Sequence, residues 1–521
     1  MAQEFLHMLA PHMIVGLEGP CLVDAEKTLL SKYPFPGVIL FERNVVGSRQ
    51  LMELAQGIRS IFRNSRGTVP LIAADHEGGT VSVLGRAIGA PPTQMAAARA
   101  GDAHLVERLF AENARRMRAC GVNLLLGPVA DVNSDPLNPV IGTRSFGEET
   151  GLVSSLVSVA VSASRREGVV TCLKHFPGHG PSRVDSHLEL PVLGSTLDEL
   201  KKRDIPPFAS GIAAGAETVM IGHIAPLGRT LPASLDPEII GTLLRGELGF
   251  GGVVITDALE MEGVKVAGLR EICARALGAG NDILLFSKPV AAVAAEIEAA
   301  GESGGPVDSA GARDGLENAG ASEPSAARIA RLIDIAAAHE REFELPGDAG
   351  IYREIADKSI QILGRADAAP APDRSKGLRV VFYSERGEFE RYPAMSFVAR
   401  TLNGLGLADD ARPRPIVPGR TGLCAVEPRG ALPQSAAHLE GWVFSSASGP
   451  AAPLEIVFLL NRRPLSEEAV RELCSGAEVV VIAGWPHAAQ SVPAGRTVVT
   501  TWGVYDAAAD AVCRSLRLKT G

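Results

Sequence analysis

The chain has few cysteines for its length. Its 521 residues include only seven, none of them in the CxxC spacing of redox and zinc motifs. Odd in number and scattered, they are typical of reduced, buried thiols and argue against a disulfide framework or a zinc site. We expect neither a metal nor a cofactor.

Long apolar runs are also missing. None reaches the roughly 20 residues that a membrane-spanning helix needs, and no basic region precedes the apolar residues of the amino terminus, as it would in a signal peptide. These absences predict a soluble, cytoplasmic protein without a membrane partner.

Basic charge is in deficit as well. Lys and Arg number 51 against 60 Asp and Glu, for a net charge of -9, so no basic field is present to attract nucleic acid. The hydrophobic share of 46% is enough for sizeable cores, and the length suggests two to four domains, or one large barrel with a companion. Nothing in the sequence indicates an oligomeric state.

Short β-rich apolar runs alternate with longer amphipathic stretches in the first part of the chain. The predicted strands are 13–15, 38–41, 71–74, 122–126, 169–173, 218–221, 253–256 and 283–286. Eight strands with intervening helices predict a (β/α)8 TIM-type barrel, to which we assign residues 1–345. Helices are predicted at 105–120 and at 237–246, the second with Asp236 as its N-cap.

A second, smaller α/β domain is predicted at 377–521, where apolar strand patterns recur. Its predicted strands are 379–383, 455–460, 478–483 and 497–502, with helices near 466–474 and 505–516. Between the domains, 346–376 is predicted as a helix, at 349–363, followed by a linker rich in Pro and Ala. Residues 301–325 are predicted as a surface loop, and no element is predicted for the Pro-, Gly- and Ala-rich stretch 412–453.

The segment Lys174-His175-Phe176-Pro177-Gly178-His179-Gly180, followed by Asp185-Ser186-His187, concentrates chemistry after the predicted strand 169–173. Parallel barrel strands present functional groups at their carboxyl ends, and this segment brings a Lys, three His and an Asp to such an end. Its glycines and prolines let the backbone turn sharply and approach a ligand closely. An ordinary turn with surface histidines would rarely collect so many ionisable groups, so the segment indicates a functional site.

Other polar motifs also follow predicted strands. They are Asp75-His76-Glu77-Gly78-Gly79, Asp131-Val132-Asn133, Gly142-Thr143-Arg144-Ser145-Phe146-Gly147, His223, and Thr256-Asp257-Ala258-Leu259-Glu260-Met261. Taken singly, most have a structural reading: a glycine turn, a surface ion pair for Arg144, or a core histidine for His223. An Asp at a strand end, such as Asp257, has no structural role unless a basic group meets it. Together they indicate one site at the carboxyl face of the barrel.

These motifs resemble glycoside hydrolase family 3, specifically its bacterial β-N-acetylglucosaminidase branch, over about residues 10–345. The shared motifs are Leu40-Phe41-x-Arg43-Asn44, Asp75-x-Glu77-Gly78-Gly79, Asn138-Pro139-Val140-Ile141, Arg144-Ser145-Phe146-Gly147, the Lys174 to His187 segment and Thr256-Asp257-x-Leu259-x-Met261. The resemblance implies a retaining hydrolase that releases terminal non-reducing β-linked N-acetylglucosamine from peptidoglycan fragments or chitooligosaccharides, with a small carbohydrate as its partner. It also implies a C-terminal α/β domain, as in the bilobed members.

The resemblance also implies residue roles. Asp257 would be the nucleophile, His187 the general acid/base held by Asp185, and the sugar-binding groups would be Asp75, Arg144, Lys174 and His175. A retaining glycosidase needs a carboxylate on one side of the anomeric carbon and a proton donor on the leaving-group side. A histidine titrates near neutrality, so His187 needs only an orienting partner, which Asp185 could provide from two residues away.

One position departs from the family pattern, and several alternatives remain open. Thr80 stands where relatives usually carry Arg, which leaves affinity and sugar preference open. A histidine acid/base would not repel a phosphate dianion, so a retaining β-N-acetylglucosaminide phosphorylase is an alternative, as is a β-glucosidase of the same family. A sugar sensor without turnover is disfavoured by the intact catalytic set. An aldolase using Lys174 as a Schiff-base lysine would leave Asp257 and His187 unexplained.

Overall fold

A closed barrel of parallel strands forms the amino-terminal part of the protein in a computed structural model. The strands are β1 (Met13–Gly16), β2 (Gly37–Leu40), β3 (Leu71–Ala74), β4 (His76–Gly78), β5 (Val81–Ser82), β6 (Leu124–Leu125), β7 (Val170–Phe176), β8 (Thr218–Ile221), β9 (Val253–Ala258) and β10 (Ile283–Pro289). Around the barrel their order is β1-β10-β9-β8-β7-β6-β3-β2, and β4 and β5 form a separate hairpin. The predicted TIM-type barrel is therefore confirmed.

The structure describes most of the chain, with internal gaps. The described residues are 2–184, 189–302, 323–339, 350–363, 378–385, 394–404, 439–445, 454–460, 465–475, 477, 479–484, 486–493 and 496–516. Within them, no helix is long and apolar enough to cross a membrane.

Helices connect and cover the barrel strands. They are α1 (Ala2–Leu9), α2 (Asp24–Lys32), α3 (Ser48–Arg66), α4 (Gly85–Ile88), α5 (Gln94–Arg99), α6 (Ala103–Ala119), α7 (Thr150–Arg166), α8 (Leu197–Arg203), α9 (Pro206–Ala213), α10 (Leu269–Ala279), α11 (Val290–Glu302) and α12 (Ser325–Ala338). The predicted helix 105–120 is confirmed as α6. The predicted helix 237–246 is a π-type helix, Glu238–Glu247, whose N-cap is Pro237 and not the predicted Asp236. Asp236 lies one residue before the cap and accepts a hydrogen bond from the Glu238 amide at 2.9 Å.

Every second side chain of the strands points inward, and these side chains fill the barrel interior. On β3, β7 and β9, the pairs Leu71 and Ala73, Val170 and Cys172, and Val253 and Ile255 belong to one apolar cluster inside the barrel. The intervening side chains, such as Ile72 and Val254, pack in the outer layer against the helices. Because successive side chains of a strand point to opposite faces, the next inward position on each of these strands lies at the carboxyl mouth of the barrel.

Helix α12 packs against the opposite, amino-terminal end of the barrel. Its Ile329, Leu332 and Ala336 join the interior cluster. Its Arg328 donates from Nη2 to Asp282 Oδ1 at 2.6 Å, and Asp282 immediately precedes β10. The same carboxylate accepts from Arg245 Nη2 at 2.7 Å, so two guanidinium groups balance one buried charge there.

A six-stranded sheet follows in the C-terminal part. Its strands are β11 (Gln361–Leu363), β12 (Leu378–Glu385), β13 (Leu439–Ser445), β14 (Leu454–Leu459), β15 (Val479–Ile482) and β16 (Thr497–Thr500), in the order β11-β16-β15-β14-β12-β13. The central pairs are parallel, and the two edge strands β11 and β13 are antiparallel to their neighbours. The helices here are α13 (Gly350–Ser359), α14 (Ala394–Gly404), α15 (Glu467–Leu473) and α16 (Asp506–Ser515).

Two predictions about this region were incomplete. The predicted helix 349–363 ends at Ser359, because Gln361–Leu363 pairs with β16 as an edge strand. Strand β13 lies within 412–453, where no element was predicted. The Pro- and Ala-rich linker and most of the predicted loop 301–325 lie outside the described residues. The division into 1–345, 346–376 and 377–521 stays a prediction.

Candidate active site

Three of the predicted site residues occupy the carboxyl mouth of the barrel interior. Alternation continues from Ala73 on β3 to Asp75 directly after that strand, from Cys172 to Lys174 on β7, and from Ile255 to Asp257 on β9. The buried Cys172 thiol lies near all three charges. Burial is the main cause that raises its pKa to about 12; Asp75 and Asp257 raise it further, whereas Lys174 lowers it. The two carboxylates and the ammonium therefore lie above one buried thiol.

A buried ion network connects Lys174 to Arg144. Lys174 Nζ lies 2.5 Å from Asp75 Oδ1 and 2.5 Å from Glu77 Oε1. Glu77 also accepts two hydrogen bonds from Arg144, from Nε at 2.7 Å and from Nη2 at 2.8 Å, in the bidentate geometry that guanidinium groups favour. The Lys174 side chain is 2% exposed and that of Asp75 is 24% exposed, so Asp75 is the side of this pair that reaches solvent.

The network keeps its members charged despite burial. Burial alone would raise the pKa of Glu77, but Arg144 and Lys174 outweigh it and hold that pKa well below its ordinary value. Burial would likewise lower the pKa of Lys174, and Asp75 with Glu77 reverses the effect and raises it. Both groups are therefore charged at neutral pH, and the site presents fixed donors and acceptors to a ligand.

His175 is held by a second buried carboxylate, Asp131, in the loop after β6. Asp131 Oδ2 lies 2.8 Å from His175 Nδ1 and accepts from the His175 amide at 3.1 Å. Arg144 Nη2 lies 3.4 Å from His175 Nε2, and since a guanidinium can only donate, Nε2 is the acceptor and Nδ1 carries the proton. Asp131 thus fixes the tautomer and the ring plane of His175.

The predicted nucleophile Asp257 lies at the carboxyl end of β9. Its Oδ1 accepts a hydrogen bond from the Ala258 amide at 2.8 Å. The carbonyl of Ala258 lies 3.1 Å from Nε2 of the buried His223, whose Nδ1 lies 2.7 Å from Ser234 Oγ. A carbonyl can only accept, so His223 carries its proton on Nε2 and Ser234 donates to Nδ1. His223 therefore holds the backbone next to Asp257 and has a structural role, as its alternative reading indicated.

The structure brings together four predicted sugar-binding residues and leaves the predicted dyad undescribed. Asp75, Arg144, Lys174 and His175 form one contact network, and Asp257 lies at the same mouth. Asp185 and His187 lie outside the described residues. Two members of the network, Glu77 and Asp131, were given no role from the sequence, although each stands in one of the quoted motifs. The sequence signal that could have identified them was an acidic residue shortly after a predicted strand.

Asp204 lies beneath the loop after β7, with its Cβ against Gly178. A Cβ added to Gly178 would lie 2.5 Å from the Cβ of Asp204. The Asp204 side chain is fully buried, and its Oδ2 accepts from Arg203 Nε at 2.9 Å. Burial raises the pKa of this carboxyl to about 7, against the opposing effect of Arg203. The proton therefore stays on the folded protein at pH values where the unfolded chain has already released it.

We expect Asp204→Asn to stabilise the protein increasingly as the pH rises. Between the unfolded pKa, about 4, and the folded pKa, the unfolding free energy of the wild type falls by about 1.4 kcal/mol per pH unit because of this group. The amide does not titrate, so the gain in melting temperature over wild type should grow from pH 5 to pH 7 and level off above. Asp198→Asn, at an exposed carboxylate on α8, is the matched control. A pH-independent gain for Asp204→Asn would show that the carboxyl is ionised throughout.

Among the described residues, no group of three His, Cys, Asp or Glu side chains is arranged to hold a metal ion.

Sequence comparison identifies the family to which this barrel and its site belong. Residues 11–313 match the glycosyl hydrolase family 3 N terminal domain, and the chain belongs to that family. It is similar to a β-hexosaminidase of Stenotrophomonas maltophilia strain K279a, with 35% identity over 285 residues that cover 53% of this chain and 83% of the relative. It is also similar to β-hexosaminidase A of Pseudoalteromonas piscicida, with 36% identity over 262 residues that cover 45% of this chain. That match spans 43% of the relative's own length.

A solved structure resembles the whole chain. It is a glycoside hydrolase family 3 β-N-acetylglucosaminidase from Paenibacillus sp. strain FPU-7, with 25% sequence identity and a TM-score of 0.73. The similarity covers 98% of this chain and 96% of that protein, so the likeness extends over both sheets described above.

Proposed function

We propose that this protein is a retaining β-N-acetylglucosaminidase that removes terminal non-reducing β-linked N-acetylglucosamine from small peptidoglycan or chitin fragments. The observation that carries the proposal is the placement of Asp75, Lys174 and Asp257 in one layer at the carboxyl mouth of the barrel, connected to Arg144 and His175. The name of the Paenibacillus structure supports the N-acetyl preference, and the names of the relatives support a hexosaminidase.

The sugar-binding proposal follows from the charges of the network. Lys174 and Arg144 are donors only, and Glu77 fixes their directions by accepting from both. Asp75 is an acceptor on the solvent side of the same network. Each hydroxyl group of a sugar ring can both donate and accept a hydrogen bond. Neighbouring hydroxyl groups can therefore donate to Asp75 and accept from the neighbouring cations.

The proposed reaction is a double displacement. Asp257 attacks the anomeric carbon and forms a glycosyl ester, while His187 gives its proton to the departing oxygen. His187 then removes a proton from water, which attacks the anomeric carbon and releases Asp257. Asp185 would orient His187 and stabilise its imidazolium. The roles of Asp185 and His187 rest on the sequence motif, since both lie outside the described residues.

The charge of the mouth favours water over phosphate as the acceptor. Among the described side chains of the site, the two cations Lys174 and Arg144 are outnumbered by four carboxylates, which belong to Asp75, Glu77, Asp131 and Asp257. A phosphate dianion would enter a site whose cations are already neutralised by carboxylates. Hydrolysis is therefore the proposed reaction, and phosphorolysis is an outcome of its test.

The decisive assay compares 4-nitrophenyl N-acetyl-β-glucosaminide with the matching glucoside, each with and without inorganic phosphate. We expect kcat/KM for the 2-acetamido substrate to exceed that for the glucoside by roughly a hundredfold or more, which corresponds to about 3 kcal/mol of transition-state binding. Phosphate should leave the rate and the free-sugar product unchanged. Equal rates on both sugars would indicate a β-glucosidase, and formation of a sugar 1-phosphate would indicate a phosphorylase.

A further inference from the structure

A loop of the C-terminal sheet touches the barrel directly beside the proposed sugar site. Residues 501–505 connect β16 to α16, and they lie against the turn of the β4–β5 hairpin and the start of α5. We call the contact among Gly79, Thr93, Trp502 and Gly503 the joint. It connects two parts of the chain that are more than 400 residues apart in sequence, since Thr93 and Trp502 are separated by 409 positions.

Close packing around the Thr93 methyl group defines the joint. An added Cβ on Gly79 would lie 2.4 Å from Thr93 Cγ2, and one on Gly503 would lie 2.3 Å from the same atom. The backbones of both glycines therefore lie against one methyl group. Thr93 Oγ1 also donates to the Trp502 carbonyl at 2.5 Å and accepts from the Ala96 amide at 3.1 Å as the N-cap of α5.

The backbone of Trp502 is in an unusual conformation at this contact. Its φ of 58° lies in the left-handed region. Among the described residues other than glycine, Trp502 alone has a positive φ. Such a conformation is unfavourable for a residue with a side chain and persists where the surroundings fix it. Here the Arg99 guanidinium lies 4.7 Å from the centroid of the Trp502 ring, and Thr93 holds the Trp502 carbonyl.

The joint is two residues away from a member of the ion network. Gly79 follows Gly78, which follows Glu77, the carboxylate that orients both Lys174 and Arg144. A second contact reaches the other side of the same pair: His487 Nε2, in the segment after β15, lies 3.1 Å from Glu148 Oε1, four residues beyond Arg144. The C-terminal sheet thus touches both chain segments that supply the Glu77–Arg144 pair.

We propose that the loop 501–505 is a positioning element of the sugar site. Through Gly79 it fixes the direction of Glu77, and through Glu77 it fixes Lys174 and Arg144, without touching the substrate itself. The inference rests on the proposed function of these groups in sugar binding. Asp257 lies on β9, and three strands separate β9 from β3 in either direction around the barrel, so the loop should act on substrate binding and leave the chemical step nearly intact.

The test is Gly503→Ala in the full chain, assayed with 4-nitrophenyl N-acetyl-β-glucosaminide. The added methyl group meets Thr93 Cγ2, and the Gly503 φ of 154° is one that side chains rarely adopt, so the substitution pushes the joint apart. We expect KM to rise on the order of tenfold while kcat changes less than about twofold, since small displacements of binding groups have effects of this size. Inhibition by N-acetylglucosamine should weaken by the same factor. Arg471→Ala, at an exposed ion pair on α15, is the control and should leave both constants unchanged.

A compensating substitution separates the joint from a general folding defect. Thr93→Ser removes the methyl group that the added Cβ meets, yet keeps a hydroxyl that can cap α5 and donate to the Trp502 carbonyl. The double variant Gly503→Ala with Thr93→Ser should recover at least about a third of the lost affinity, as expected for coupled neighbours. Trp502→Gly, which removes the ring over Arg99 and suits the left-handed conformation, should also raise KM if Gly503→Ala does not fold.

Amide hydrogen exchange of residues 75–83 gives a readout that does not need activity. In the wild type, the Gly79 amide donates to the Pro91 carbonyl at 2.9 Å and the Val83 amide donates to the Asp75 carbonyl at 3.0 Å. Exchange of these amides should accelerate in Gly503→Ala and in Trp502→Gly. A wild type without activity on the substrate would refute the proposed function, whereas unchanged KM and unchanged exchange in folded variants would overturn the positioning role. A fall in kcat at constant KM would overturn it as well.

Discussion

Asp257→Ala should lose turnover by roughly a thousandfold or more, because no glycosyl ester can form without the carboxylate and the reaction loses its covalent route. Binding should survive, since the groups that hold the sugar lie on other strands: Asp75 follows β3, and Lys174 lies on β7. The measurement is kcat on 4-nitrophenyl N-acetyl-β-glucosaminide together with the Kd of N-acetylglucosamine by calorimetry. We expect the Kd to remain within about threefold of wild type.

The matched control is another acid on the same segment. Glu260 follows β9 by two residues and accepts hydrogen bonds from the amides of Ser287 and Lys288, so it anchors backbone and is not proposed to contact substrate. Glu260→Gln keeps an acceptor for one of these two amides and should stay close to wild-type turnover. If Asp257→Ala kept even a tenth of the wild-type rate, the nucleophile would have to be another residue.

His187→Ala should slow substrates according to how much their leaving group needs a proton. Loss of general acid catalysis costs typically about 10² to 10⁴ in rate for an alkoxide leaving group, and far less for an activated phenolate. We therefore expect a large loss with a disaccharide and a small loss with 2,4-dinitrophenyl N-acetyl-β-glucosaminide. A plot of log kcat/KM against leaving-group pKa should be much steeper for the variant than for wild type.

Azide rescue and the partner variant complete this test. Azide attacks the glycosyl ester without base assistance, so it should restore turnover of His187→Ala with activated substrates and yield a glycosyl azide. Asp185→Asn should show the same leaving-group dependence. Uniform slowing without rescue would indicate that another residue is the acid. His179 is a poor candidate, because it is buried, its amide donates to Asp131 Oδ1 at 2.7 Å, and burial lowers its pKa to about 4.

The barrel and one layer of the site could be predicted from local sequence patterns. The apolar runs predict the strands. Because every second side chain of a strand points inward, Asp75 points inward after Leu71 and Ala73, and Asp257 does so after Val253 and Ile255. Whether a side chain points into or out of the barrel depends only on its near neighbours in the chain. The convergence of Asp75, Lys174 and Asp257 at one mouth therefore follows from strand pattern and alternation alone.

The pairings between those residues could not be predicted in the same way. Glu77 and Arg144 are 67 positions apart, and Asp131 and His175 are 44 apart, so their contacts depend on how the barrel closes and how its loops bend. The contact of Thr93 with Trp502 depends in addition on how a second sheet meets the barrel. For the same reason the edge strand β11 was predicted as helix: its partner β16 lies more than 130 residues further along the chain.

The position of α12 determines where this protein can be divided. The family match ends at residue 313, yet Ile329, Leu332 and Ala336 of α12 complete the apolar interior, and Arg328 neutralises part of the charge of Asp282. A chain that stopped at the limit of the family match would expose the interior at its amino-terminal mouth and lose one of the two guanidinium groups that neutralise Asp282. The unit that can be exchanged between proteins, by recombination or by design, is therefore longer than the matched catalytic domain and includes this helix.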